Sequence, residues 1–135
     1  MKSETKLWWS LRKNLPQVRW TRIESHVNPG VADVNGLYRG TEFWVELKIA
    51  KGNGKLAITP HQISWNYTRI INLGRSFFLA APITQRSLFL YGGSEGRDLA
   101  KNGLRTEPLA RFDDPVPWSK VLHCFIKAPL IKIKS

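Results

Sequence analysis

Glu42-Phe43-Trp44-Val45-Glu46-Leu47-Lys48-Ile49-Ala50 is the clearest strand in the sequence. Side chains alternate faces along a strand. Phe43, Val45, Leu47 and Ile49 therefore share one face, and Trp44, Glu46 and Lys48 share the other. The first face is wholly apolar. The second carries an acid and a base two positions apart, beside a tryptophan. An exposed Glu-x-Lys pair is a common solvated ion pair and contributes little. Trp44 on that face, and the apolar character of the opposite one, argue against a plain solvent surface. Val31 to Tyr38 reads as the strand before it, with Arg39 and Gly40 as the turn between them. If the two strands pair, Asp33 converges on Glu46. Two carboxylates held close repel unless a cation lies between them. A hard divalent ion prefers such oxygen ligands and keeps several waters. It polarises a phosphoryl oxygen and lowers the pKa of a bound water, and Lys48 beside it could orient that water or stabilise phosphate charge. The arrangement suits phosphodiester hydrolysis.

Outward from this strand, Lys51 to Lys55 is a basic loop whose glycines allow close backbone approach to a phosphate. A helix then starts with Thr59 as N-cap, Pro60 at the first helical position and Gln62 at the third, the pattern of a capping box. Ile63, Tyr67, Ile70 and Ile71 are expected to form its buried face, and Gly74 to end it. Upstream, Leu7, Trp8, Leu11 and Leu15 recur at helical spacing, predicting a helix over Ser3 to Asn14 limited by Pro16. Val18 to Ile23 reads as a strand and His26 to Gly30 as a loop. Further strands are expected at Ser76 to Ala81 and Ser87 to Tyr91, and helices at Asp98 to Asn102 and Trp118 to Ile126. The tail, Lys127 to Lys134, alternates basic and apolar residues, as an edge strand or a DNA-contacting arm would. The order helix, three strands, helix, strands predicts an α/β sandwich around a mixed sheet.

The 135 residues fit one domain, with Ser3 to Tyr91 carrying the motifs and the remainder left for dimerisation or DNA contact. The hydrophobic fraction of 42%, with six Trp and six Phe, is globular composition. No apolar run approaches the roughly 18 residues of a membrane span, and no signal-peptide core is visible, so a cytoplasmic protein is expected. His26, His61, His123 and the single Cys124 lack zinc-ligand spacing, and Cys124 reads as core filler. Lys and Arg number 21 against 10 acids, a net charge of +11. Such a basic domain points first to nucleic acid and second to an anionic membrane surface. Phosphate contacts are expected from Lys2, Lys6, Arg22, Ser25, Lys51, Lys55 and Arg69 around the site. Trp8, Trp9, Trp20 and Trp65 read as core or interface, and Trp44, beside Glu46, as the one to watch.

Gly30-Val31-Ala32-Asp33, then Phe43 to Lys48, then Gln62 in the following helix, resemble the PD-(D/E)XK nuclease superfamily. The pattern is similar to VRR-NUC nucleases and to archaeal and phage Holliday junction resolvases, over roughly Ser3 to Ala80. The family's Pro-Asp stands here as Ala32-Asp33, which weakens the text match without removing a chemical participant. The resemblance implies a restriction-endonuclease-like mixed sheet flanked by helices. It implies Asp33, Glu46 and the Leu47 carbonyl as metal ligands, Lys48 as catalytic lysine, and Mg²⁺, replaceable by Mn²⁺, as the ion. Glu4 matches a further glutamate that members carry on the first helix; an acid favoured by the helix dipole is the other reading. Gln62 matches a family glutamine, and its capping-box reading stands beside that. Glu24 matches a polar loop position near the metal, and an ordinary surface residue is its other reading. The implied activity is structure-specific DNA cleavage by a homodimer, with Holliday junction resolution leading. Flap or single-strand cleavage, and a non-catalytic basic DNA-binding protein, are the alternatives. The short format would suit a bacteriophage protein acting in the host cytoplasm.

Overall fold

The computed structural model describes residues 3–24 and 29–131. Lys2, Ser25, His26 and residues 132–134 of the tail lie outside the described residues. The elements are α1 (Ser3–Asn14), β1 (Arg19–Arg22), β2 (Val34–Tyr38), β3 (Thr41–Ile49), α2 (Pro60–Ile71), β4 (Ser76–Ala81), β5 (Ser87–Gly92), α3 (Gly96–Asn102), β6 (Ala110–Asp113) and α4 (Trp118–Lys127). The six strands lie side by side in chain order. Only β3 and β4 pair in parallel, with Glu46 opposite Phe78; the other pairs are antiparallel. A parallel pair needs a crossover, and α2 supplies it. The β2–β3 turn is two residues long with Arg39 at φ 46° and Gly40 at φ 84°. Positive φ at both positions matches the twist of a tight hairpin. This is the mixed, helix-flanked sheet expected from the sequence.

The alternation of β3 sets the layers. Phe43, Val45 and Leu47 join Leu7, Trp8, Leu11 and Leu15 from the α1 side, Val121, Leu122 and Phe125 of α4, and Phe77 and Leu79 of β4 in the main core. Phe43 and Phe125 stack with centroids 4.8 Å apart. The opposite face is shallower: Ala50, Leu56, Phe78, Ala80, Tyr91 and Leu99 cluster there, under α2 and α3. The C-terminal third thus builds both layers. Arg75, just before β4, ties α4 down by donating to the carbonyls of Cys124 (3.1 Å), Phe125 (2.7 Å) and Ala128 (2.9 Å). A cation at a helix C-terminus also meets the favourable end of the dipole. Among the described residues, no helix is long and apolar enough to cross a membrane.

Five differences from the sequence reading appear. Of the predicted buried face of α2, Ile70 is buried, but Tyr67 is 50% and Ile71 56% exposed. The helix is rotated to turn Asn66 inward, fully buried, where its carbonyl oxygen accepts the Ser76 hydroxyl and its amide donates to the Gln62 carbonyl at 2.8 Å. The helix also ends before Gly74: Asn72 is the cap, Leu73 takes φ 65°, and the Gly74 N–H returns to the Arg69 carbonyl at 2.7 Å. The strand expected from Val31 begins at Val34. Strand β6 was not foreseen, because only Phe112 of its four residues is buried and a short edge strand leaves almost no pattern. Residues 128–131 form no strand.

Candidate active site

Gly30 has φ 87°, and a Cβ there would lie 2.3 Å from the His61 carbonyl. Only glycine permits this approach, which lays the loop before Asp33 on the first turn of α2. Asp33 then immediately precedes β2. Its carbonyl accepts from the Ile23 N–H at 2.8 Å, and its Oδ2 accepts from the Leu47 N–H at 2.8 Å. Since Val34 pairs with Val45, Asp33 stands across from Glu46, the convergence expected from paired strands.

Glu46 is 2% and Lys48 8% exposed. Their face of β3 is therefore an interior, and Gln62 organises it. Gln62 Nε2 donates to Glu46 Oε1 at 3.1 Å, while Lys48 Nζ donates to Gln62 Oε1 at 3.0 Å and to the Ala57 carbonyl at 2.7 Å. Lys48 Nζ lies 3.9 Å from Glu46 Oε1, so the glutamine bridges what would otherwise be a loose ion pair. Gln62 Oε1 also accepts the Thr59 N–H at 3.0 Å, and Thr59 Oγ1 accepts the Gln62 N–H at 3.1 Å. The capping box and the site share one side chain.

The remaining carboxylate oxygen, Glu46 Oε2, is buried and accepts no hydrogen bond from a described donor, while the Glu46 carboxyl lies within hydrogen-bonding reach of the Asp33 side chain. Burial, then the charge of Asp33, push the Glu46 carboxyl from 4.5 up to about 9; Lys48 opposes the shift, and a side-chain hydrogen bond shared with Asp33 and the charge of Glu4 add to it. Glu4, on α1, thus reaches the site electrostatically. A divalent cation would reverse this balance, because it favours the ionised form and gives the buried oxygen a partner. Among the described residues, no three His, Cys, Asp or Glu side chains are gathered as a ligand cluster. An ion here would rest on Glu46 and Asp33 with water completing its shell. That donor set fits Mg²⁺, which dehydrates reluctantly, better than zinc.

The cationic candidates spread more widely. Lys6, Arg22, Lys51 and Lys55 are exposed on α1, β1 and the loop after β3, and Glu24 is exposed. That loop is closed by the Lys51 N–H on the Lys55 carbonyl (2.9 Å) and braced by the Leu104 N–H on the Gly54 carbonyl (2.9 Å). Trp8 is buried, Trp9 is half exposed, and Trp20 packs edge-on against Trp8 and Phe43. A groove of about 720 Å³ between α2 and α3, lined by residues such as Ile63, Tyr67 and Arg97, includes none of Asp33, Glu46 and Lys48. Sequence reasoning missed the Ala57 carbonyl, since a backbone partner has no residue-type signal. It also missed Asn66, although a polar residue one turn after Gln62 was a visible cue.

No family model and no curated protein matches the chain. Solved structures do. The chain is similar to the 1.6 Å structure of Hjc from Archaeoglobus fulgidus, a Holliday junction resolvase from an archaeal hyperthermophile, with TM-score 0.50 and 12% identity over 88% of this chain and 99% of that one. At that identity the likeness shows a shared fold.

Proposed function

We propose that this protein is a metal-dependent DNA endonuclease of the PD-(D/E)XK type, cutting phosphodiester bonds in branched DNA. The observation that carries the reading is the buried Glu46, bridged through Gln62 to Lys48 and set against the Asp33 carboxyl, with no donor to its Oε2 among the described residues. A protein that merely bound phosphate would gain nothing from burying Glu46 beside the Asp33 carboxyl, which argues against a passive DNA-binding role. Asp33 and Glu46 hold the ion, with the Leu47 carbonyl and Glu4 as further candidates. When bound, Mg²⁺ or Mn²⁺ supplies Lewis acidity and a more acidic water. Lys48 is kept in one rotamer by Gln62 and Ala57, so its ammonium can orient a water or offset charge on the phosphate. Gln62 sets the relative position of Lys48 and Glu46. Lys2, Lys6, Arg22, Ser25, Lys51, Lys55 and Arg69 are candidates for holding DNA phosphates.

Four-way junctions are the leading substrate, in keeping with the fold shared with a resolvase. Symmetric nicking needs two sites related by a two-fold axis, hence a homodimer. The test is cleavage of labelled four-way junction, flap and duplex DNA in Mg²⁺ and in EDTA. Paired nicks in the junction, lost in EDTA and in Asp33→Asn, are expected. Lys48→Ala should fold and bind but cut at least about 10²-fold more slowly. Cutting of the flap or duplex instead would move the substrate assignment, and no cutting at all would end the nuclease reading.

A further inference from the structure

Trp44 follows the alternation that puts it on the Glu46 and Lys48 face of β3. It meets Trp65 of α2 edge-on, with centroids 5.2 Å apart. Arg69, one turn further along α2, lays its guanidinium over the Trp65 ring at 4.1 Å. Four other arginines sit over aromatic rings, at 4.9 to 5.6 Å. Of these, Arg75 and Arg111 spend donors on protein acceptors. Arg69 has the closest stack, and among the described residues its guanidinium has no hydrogen-bond or ion-pair partner. A stacked guanidinium keeps its N–H edge free for a planar or tetrahedral anion.

The stack is also aimed. Gln62 touches Glu46 while Trp65 touches Trp44, so α2 runs back along β3 away from Lys48. Gln62, Trp65 and Arg69 fall on one side of α2 by helical spacing. The buried Asn66–Ser76 bond fixes the rotation that presents that side. Two turns separate Gln62 from Arg69, about 10 Å along the axis. The anion Arg69 meets is therefore a neighbour of the group at Glu46.

Resting on the nuclease reading, we propose that Trp44, Trp65 and Arg69 form a phosphate clamp gripping the DNA strand beside the bond to be cut. Trp44 supports Trp65, Trp65 orients Arg69, and Arg69 takes the phosphate. The clamp contributes to substrate binding and not to the chemical step.

The test uses the full chain with Arg69→Ala, Arg69→Lys, Trp65→Leu, Trp65→Phe and the Arg69→Ala/Trp65→Leu double variant. Binding of a labelled four-way junction is measured in EDTA across salt concentrations, KM and kcat in Mg²⁺, and folding by thermal melting. Arg69→Ala should weaken binding and raise KM about 3- to 10-fold with kcat within about 2-fold, and lower the salt slope by about 1. Arg69→Lys should recover only part of the loss, and Trp65→Phe should retain most of the binding. Trp65→Leu should reproduce the loss although the charge remains, and the double variant should be no worse than Arg69→Ala. Lower melting temperatures with unchanged binding and KM would make the stack a packing contact and overturn the clamp. So would a loss in Arg69→Ala with none in Trp65→Leu. If the wild type cuts nothing, the nuclease reading falls, and the binding measurements decide the clamp by the same criteria.

Discussion

The two faces of β3 are buried almost equally and built on opposite principles. On one, Phe43, Val45 and Leu47 are 0%, 0% and 4% exposed and pack into the apolar core of the α1 and α4 layer. On the other, Glu46 and Lys48 are 2% and 8% exposed and are held by directional hydrogen bonds through Gln62 and the Ala57 carbonyl. The first face can be explained by stability alone. The second carries a cost: burying a carboxyl beside a second carboxyl disfavours its charged form, the cause of the upward shift at Glu46. Equal burial with unequal cost is what separates the site from the core.

The comparison breaks most visibly on the apolar side. Phe125→Ala removes a ring that stacks on Phe43 and meets Phe77 edge-on; it should lower stability by about 3–5 kcal/mol, read from urea melts, with the same loss at pH 6 and pH 8. On the polar side the sign reverses. Glu46 binds its proton up to about 9 when folded, against 4.5 ordinarily. Between those values the folded protein holds a proton the unfolded chain has released. Its contribution is whole below 4.5 and is lost as pH rises through 9. Without divalent ions, then, stability should fall from pH 5 toward pH 9. Glu46→Gln should flatten that fall and gain about 1–3 kcal/mol at pH 8, while abolishing cleavage. A Glu46→Gln protein less stable than wild type at pH 8 in EDTA would show that the face is not strained by charge.

Arg75→Ala uncaps α4 at three carbonyls and should cost about 1–3 kcal/mol by chemical denaturation without altering that pH slope. Thr59→Ala is the mildest change, about 1 kcal/mol for a lost N-cap. The substitution removes Oγ1, the acceptor of the Gln62 N–H, but keeps the backbone N–H that binds Gln62 Oε1, so the cutting rate should stay within about 2-fold; a larger loss would show that the hydroxyl cap itself positions Gln62 for Lys48.

Much of this was legible in the sequence. Period-two alternation placed Glu46 and Lys48 on the face away from the apolar core. The Thr59-Pro60-x-Gln62 pattern fixed where α2 starts, and Leu7, Trp8, Leu11 and Leu15 gave α1. What stayed hidden depends on tertiary context. Apolar periodicity pointed Tyr67 and Ile71 inward, but a buried Asn66–Ser76 bond turned the helix otherwise. Nor could residue types reveal that the Ala57 carbonyl holds Lys48, or that the final third of the chain lies in both layers of the core.

The measurement that bears most directly on the site is calorimetric titration of Mg²⁺ and Mn²⁺ into the protein at pH 7.5, in buffers of different ionisation enthalpy. A carboxyl that holds its proton to about 9 must release it to coordinate an ion, so the account predicts saturable binding with about one proton released per ion, and neither in Glu46→Gln. Binding with no proton release, unchanged by Glu46→Gln, or no binding to the wild type, would contradict it.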